Sequence, residues 1–334
     1  MKIVRTSAYA RAGLLGNPSD GYFGKTISTT LQDFSAQVVL YEWPELEIIL
    51  SGEDRCQFGQ MAELVKDVKI NGLYGGLRLI KAAIKVFVEH CQNQGVELTK
   101  NNFSLRYETN IPRQVGLGGS SAIITAVFRA LMEFYDVSIP RENLASLILK
   151  VETDEIGIIA GLQDRVCQTY GGLIYMDFEQ THMEKHGYGI YQKIDPSLLP
   201  PLYLAYRRNL SQISGIYHSN LRARWESGDT EVVQGIAELA ELAELGKDSI
   251  LKRNHSLLTD LINRNFDTRA RLMTLNPGGL EMIELARSLG VCAKYAGSGG
   301  AIVGICENDE LLKQLRQQFA KLGCEVIRPT VQPE

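Results

Sequence analysis

The chain has 334 residues, enough for two ordinary domains or one large one, and 45% of them are hydrophobic, which supports a sizeable core and excludes a disordered chain. The formal net charge of −4, with no basic block, excludes nucleic-acid binding through a broad basic surface, while small anionic ligands need only a few local donors. Six scattered cysteines (Cys56, Cys91, Cys167, Cys292, Cys306, Cys324) form no C-x-x-C pair, and neither a signal-like segment nor a membrane-length apolar run is present, so the expectation is a cytoplasmic protein with free thiols.

In chain order, Lys2 to Ala10 reads as extended and leads through Arg11 into Gly13-Leu14-Leu15-Gly16-Asn17-Pro18-Ser19-Asp20, an apolar stretch that breaks into a polar turn. The carboxylate, amide and hydroxyl of Asp20, Asn17 and Ser19, with Arg11 just before, suit a polyhydroxy ligand. Thr26 to Thr30, Ala36 to Tyr41 and Leu46 to Leu50 read as strands, and Leu64 to Val68 is ambiguous. Leu77 to Cys91 has helical periodicity, and Phe103 to Thr109 alternates like a strand.

That strand delivers the chain to Pro112-Arg-Gln-Val-Gly-Leu-Gly-Gly-Ser-Ser-Ala122. Gly116, Gly118 and Gly119 permit turns that side chains forbid, and Ile123, Ile124, Val127, Ala130, Leu131 and Phe134 recur at helical steps beyond them. Ser120 and Ser121 therefore stand where a helix begins, with unpaired amides and about half a positive charge to offer an anion. The simplest reading is a phosphate cradle; it is neither a Walker A loop nor the Rossmann G-x-G-x-x-G.

Asn143 to Gly157 reads as a helix holding Glu152, Asp154 and Glu155. Gly161-Leu-Gln-Asp-Arg165 and Tyr170-Gly-Gly-Leu-Ile-Tyr-Met176 follow, the latter turning into a strand. His182 and His186 could share a helix face, but a zinc site needs further ligands and none is near in sequence. Prolines 196, 200 and 201 mark a boundary, drawn as residues 1–195 and 196–334. The second unit alternates: a strand at Leu202 to Tyr206, helices at Val232 to Leu245, Ser249 to Phe266 and Gly278 to Leu289, and Val291 to Tyr295 entering Ala296-Gly-Ser-Gly-Gly300. A strand at Ala301 to Cys306, a helix at Glu310 to Leu322 and a strand at Glu325 to Pro329 complete an α+β pattern.

Three motifs in this order, Arg11 to Gly24, Pro112 to Ala122 and Lys294 to Gly300, resemble the galactokinase–homoserine kinase–mevalonate kinase–phosphomevalonate kinase (GHMP) superfamily, and Gly-Leu-Gln-Asp followed by Tyr-Gly-Gly is similar to the catalytic segment of its heptose and fucose kinases. G-L-L-G-N-P-S-D-G-Y-F-G-K-T, N-I-P-R-Q-V-G-L-G-G-S-S-A, A-G-L-Q-D-R-V and Y-G-G-L-I-Y-M-D-F further resemble the plant-type glucuronokinases, which make a sugar 1-phosphate from glucuronic acid and ATP. Galactokinases usually carry E-H-x-D where this chain has Asn17-Pro18-Ser19-Asp20, which argues against galactose. The resemblance implies a ribosomal-S5-like N-terminal domain, which would bind ATP, and a ferredoxin-like C-terminal domain, with the active site between them.

It also implies roles. Gly116, Leu117, Gly118, Gly119, Ser120, Ser121 and Ala122 would hold ATP phosphates. Ser121, with Ser120 as alternative, and Glu152, with Glu155 as rival, would hold Mg²⁺. Asp164 matches the catalytic aspartate and Arg11 a basic residue that neutralises developing charge. Asn17, Ser19 and Asp20 would bind sugar hydroxyls, and Gly297, Ser298 and Gly299 would close the site. Arg165 would be either a bidentate partner for a uronate carboxylate or a structural ion pair, and Arg11, Arg207 and Lys294 also lie near the motifs. Another sugar (galacturonate, fucose, a heptose or a neutral hexose), a non-catalytic sensor and an RNA-binding protein are the alternatives. The retained aspartate and serines speak against the sensor, and the negative net charge against RNA.

Overall fold

Strands β1 (Ile3–Leu15) and β2 (Lys25–Glu42) form a long antiparallel ribbon around which the first half of the chain is laid. The structure is a computed structural model and describes residues 1–49, 75–207 and 221–331. The sequence predicts two strands where β2 is one. Pairing jumps from Tyr9↔Ser35 to Ala10↔Leu31, so residues 32–34 form an extra loop on β2 rather than a turn, and Gln32 N donates to Thr330 O at 3.0 Å from the far end of the chain. Strand β3 (Glu47–Ile49) runs parallel to β4 (Phe103–Thr109), and β5 (Leu173–Asp177) and β6 (Ile190–Ile194) complete a sheet in the order β3-β4-β2-β5-β6, with β1 pairing β2. The segment Leu64 to Val68 lies outside the described residues.

Helices α1 (Gly76–Asn93) and α2 (Gly119–Tyr135) pack together on this sheet, and all six apolar positions singled out on α2 are buried. The expected helix from 143 to 157 divides: α3 (Arg141–Lys150) passes into a π-helical turn, Val151–Glu155. The wider winding buries Val151 and Glu152 and leaves Asp154 exposed. Helices α4 (Gln163–Tyr170) and α5 (Gln180–His186) and strand β6 have no apolar stripe that announces them. His182 and His186 stack on α5 with ring centroids 4.4 Å apart, and among the described residues no three His, Cys, Asp or Glu side chains assemble as a metal cluster.

The chain passes to a second sheet between Ile194 and Leu202. It is antiparallel, ordered β10-β7-β9-β8, from β7 (Leu202–Arg207), β8 (Lys294–Tyr295), β9 (Ala301–Ile305) and β10 (Cys324–Ile327). Helices α6 (Thr230–Leu251), α7 (His255–Leu272), α8 (Pro277–Ser288) and α9 (Asp309–Lys321) belong to this half. The division drawn at residue 195 falls in the passage between sheets, but packing crosses it. One apolar core joins Leu14, Ile27 and Leu105 to Leu204, Leu239 and Val303, and α6 lies against β2. The expected break near residue 246 does not occur, because α6 runs on to Leu251. A Cβ at Gly246 would stand 2.0 Å from Leu15 Cδ1, so glycine there serves close approach to the first sheet. The helix ends instead where Asn254 caps α7, its Oδ1 accepting from Leu257 N at 3.2 Å. No helix among the described residues is long and apolar enough to cross a membrane, and the five described cysteines are buried and form no disulfide with one another.

Candidate active site

The spine strand β1 meets both glycine-rich loops at its C-terminal end. Arg11 N donates to Leu117 O at 3.0 Å and Gly13 N to Ala296 O at 2.8 Å. Gly116 and Gly118 are left-handed (φ 80° and 72°), and Gly118 is the N-cap of α2. The loops touch: a Cβ on Gly116 would lie 2.5 Å from Ser298 N, and one on Gly297 would lie 2.0 Å from Gly116 O. They line a cavity of about 450 Å³ together with the start of α2, the π turn, the start of α4 and the turn after β1. Leu79, Tyr107, Ile111, Ile123 and Ile158 supply an apolar wall, and the remaining lining is rich in polar and charged groups.

Arg11 is buried and grips Asp164 with both ends of its fork, Nε to Oδ1 at 2.5 Å and Nη2 to Oδ2 at 2.7 Å. Its Nη1 donates to Gly116 O at 2.7 Å and Ala296 O at 2.9 Å, so one side chain ties both loops to the aspartate. Asp20 reaches the same region and accepts from Gln163 N at 3.1 Å. Burial, followed by the negative charge of Asp164, pushes the Asp20 carboxyl up to about 6, against the pull of the Gln163 amide, Arg165 and Arg11. Asn17 lines the pocket, and its Oδ1 accepts from Lys294 Nζ at 2.7 Å, so its amide NH₂ is the group left for a ligand.

Glu152 is fully buried on the π turn. Arg165 donates to Glu152 Oε2 from Nε at 2.6 Å and also from Nη2, and Ser120 Oγ donates to Oε1 at 2.6 Å. Burial would weaken the Arg165 charge, but the Glu152 and Asp164 carboxylates outweigh it and hold the guanidinium above its ordinary value. Ser120 and Glu152 together present an all-oxygen pair of the kind Mg²⁺ takes, since that ion keeps several waters and needs few protein ligands.

The family model for the GHMP kinase N-terminal domain matches residues 78–172, and that for the C-terminal domain matches residues 247–323. The chain is 46% identical over 330 residues to "Probable glucuronokinase 2" of Arabidopsis thaliana, covering 95% of this chain and 88% of that protein. The chain belongs to the GHMP kinase family. It is also 44% identical to Glucuronokinase 1 of the same plant, over 96% of this chain and 90% of that protein. In fold it is similar to the galactokinase of Lactococcus lactis complexed with galactose (TM-score 0.79, 15% identity, 99% of this chain and 94% of that one).

Against this GHMP kinase framework, several sequence expectations need correction. Ser121 does not face the pocket: it is fully buried, and its Oγ turns back to Gly118 O at 3.1 Å. Ala122 is buried as well, and its N donates to Gly118 O, leaving no amide for a phosphate. Of the two adjacent serines, Ser120 lies on the pocket wall. Glu155 lies off the pocket, ion-paired to Lys85 at 2.6 Å. Ser19 is buried with its Oγ on Lys25 O at 2.8 Å, and Gly299, unlike Gly297 and Ser298, is not part of the lining. Arg165 borders the cavity but its fork is spent on Glu152.

The other basic residues weighed for a carboxylate are likewise committed. Arg207 is off the pocket and paired with Glu281 at 3.0 Å. Lys294 donates to Gly13 O, Asn17 Oδ1 and Tyr295 O, which uses all three of its hydrogens, and burial holds its ammonium well below its ordinary pKa. Arg269 of α7 and Gln163 of α4 line the pocket and were not singled out by sequence. Arg269 falls at helical steps from Ile262, Asn265 and Phe266 to Leu272, on the buried stripe of α7, whereas Arg264 and Arg271 fall off it and are exposed, so an arginine on the apolar face was the signal that could have found it.

Proposed function

We propose that the chain is an ATP-dependent kinase of the cytoplasm that phosphorylates D-glucuronate at its anomeric hydroxyl, giving glucuronate 1-phosphate and ADP. The observation that carries the reading is the Arg11–Asp164 pair, held in one pocket with the N-terminus of α2 and the Ser120–Glu152 pair. The long identity to plant glucuronokinases supports the sugar.

Phosphoryl transfer depends chiefly on alignment and charge neutralisation. Gly116 and Gly118 let the backbone approach the ATP phosphates, and the free amides opening α2 carry the partial positive charge that receives them. The apolar wall around Tyr107 and Ile123 suits the nucleobase. Ser120 and Glu152 Oε1 would hold Mg²⁺, which when bound supplies charge neutralisation at the phosphates. Asp20 and the Asn17 amide accept from and donate to sugar hydroxyls. The Asp164 carboxylate, oriented by Arg11, takes the proton of the attacking hydroxyl as its oxygen bonds to the γ-phosphorus and the bond to ADP breaks. Arg11 offsets the charge that develops there.

The test is an ADP-release assay on glucuronate, galacturonate, fucose, glucose and galactose, with the product phosphate located by NMR. Glucuronate with phosphate on the anomeric oxygen is expected. Equal use of glucose, or phosphate on another hydroxyl, removes the uronate reading and leaves a sugar kinase of another specificity.

A further inference from the structure

Once the basic residues of the pocket are assigned, one buried cation is left over. Arg269 is 4% exposed and lines the cavity. Its Nη1 donates to Gly297 O at 2.8 Å, its Nε is buried without an acceptor, and its guanidinium lies over the Tyr295 ring at 5.3 Å. No carboxylate among the described residues pairs with it. Burial, with the charge of Arg11, draws the guanidinium down to about 10 against the pull of Tyr295 and of the Asp20 carboxylate, which acts from beyond ion-pair distance. A buried charge with no counter-ion is costly to keep, and a site that keeps one is prepared for an anion that arrives later.

The alternatives are weaker. Arg11 and Arg165 are spent on Asp164 and Glu152, and Lys294 on three oxygens. Arg113 and Arg222 also border the cavity, but both are exposed to water, where pairing with a carboxylate gains little.

We propose that Arg269 receives the carboxylate of the sugar acid and thereby decides a uronate over a neutral sugar. This rests on the glucuronate reading above. The test compares kcat/KM for glucuronate, glucose and D-glucuronamide, whose carboxylate is replaced by a neutral amide of similar shape, in the native protein and in Arg269→Gln. The native protein is expected to prefer glucuronate. Arg269→Gln is expected to lose about 100-fold or more on glucuronate, keep KM for ATP, and leave glucose and glucuronamide within a few-fold, so that the preference collapses.

Should Arg269→Gln fail to fold, as judged by thermal melting, the comparison is made with Arg269→Lys. A smaller loss confined to glucuronate is expected there, because an ammonium cannot fork onto two oxygens. An equal fall on all three sugars would mean that Arg269 only anchors the Gly297 loop, and a raised KM for ATP would mean that its charge serves the nucleotide; either overturns the inference. A native preference that survives in the variant overturns it while leaving the substrate reading intact. A native protein that uses glucose as well as glucuronate removes both.

Discussion

Arg11–Asp164 and Arg165–Glu152 are two arginine–carboxylate pairs on one pocket, and consecutive residues of α4 supply a member to each. In the first, the guanidinium fork meets both carboxylate oxygens, and the third nitrogen of Arg11 binds the two glycine-rich loops. In the second, two nitrogens converge on Oε2 alone, and Oε1 is left to Ser120. In the proposed mechanism the same two chemical groups serve as an oriented proton acceptor in one place and as a metal ligand in the other. Geometry, set by which turn of backbone carries each carboxylate, decides the difference.

The first pair is broken by Asp164→Asn. Turnover is expected to fall about 100-fold or more with nucleotide affinity unchanged, as measured by ADP release and by titration of an ATP analogue. Arg11→Met should cost stability as well. Removing one partner of a buried pair typically costs about 3–5 kcal/mol, and the low end applies here because Asp164 keeps some contact with water. Chemical denaturation distinguishes the variants. Normal turnover in a folded Asp164→Asn protein would remove Asp164 from the proposed proton transfer.

The second pair is sharpened by four conservative variants. Ser120→Ala and Glu152→Gln should each raise the Mg²⁺ concentration for half-maximal rate about tenfold, the scale of a lost ligand or its partner. Ser121→Ala and Glu155→Gln should leave it alone, since both side chains point away from the pocket. A magnesium titration in which Ser121→Ala has the larger effect would return the ligand to the buried serine.

The smallest effect concerns Asp20, beside the first pair. Its folded pKa, about 6, lies above the ordinary 3.8, so between those values the folded protein holds a proton that the unfolded chain has released. Stability therefore declines as pH rises from about 4 to 6, and the penalty is complete above 6. Asp20→Asn should melt higher than the native protein at pH 8 but not at pH 4. The sugar KM should rise severalfold as the native protein is taken below pH 6 and Asp20 loses its acceptor charge, and this limb should be missing in Asp20→Asn. An unchanged limb in that variant would assign the titration to another group.

The amino-acid sequence determined the parts whose physics is local. The glycines before α2 announce a left-handed turn and a helix start, and the alternation of Phe103–Thr109 and the periodicity of α1 and α2 report their buried faces directly. The motifs likewise brought Arg11, Asp20, Glu152 and Asp164 into view. Helix α4 was illegible because the side chains it buries include the polar Gln163, Arg165, Gln168 and Thr169 in place of an apolar stripe, with Arg165 donating to Gly161 O and Gln168 to Tyr9 O and Gly118 O.

Tertiary structure decided which oxygen or nitrogen each charged group would meet. Ser120 and Ser121 are adjacent and chemically identical, and only the 100° step of the helix points one at Glu152 and the other at Gly118. The helical step puts Arg269 on the buried face of α7, but only the packing of the chain makes that face border the pocket. Pairing is a property of distance across the fold, over 153 residues for Arg11 and Asp164, and no local pattern in the chain encodes it.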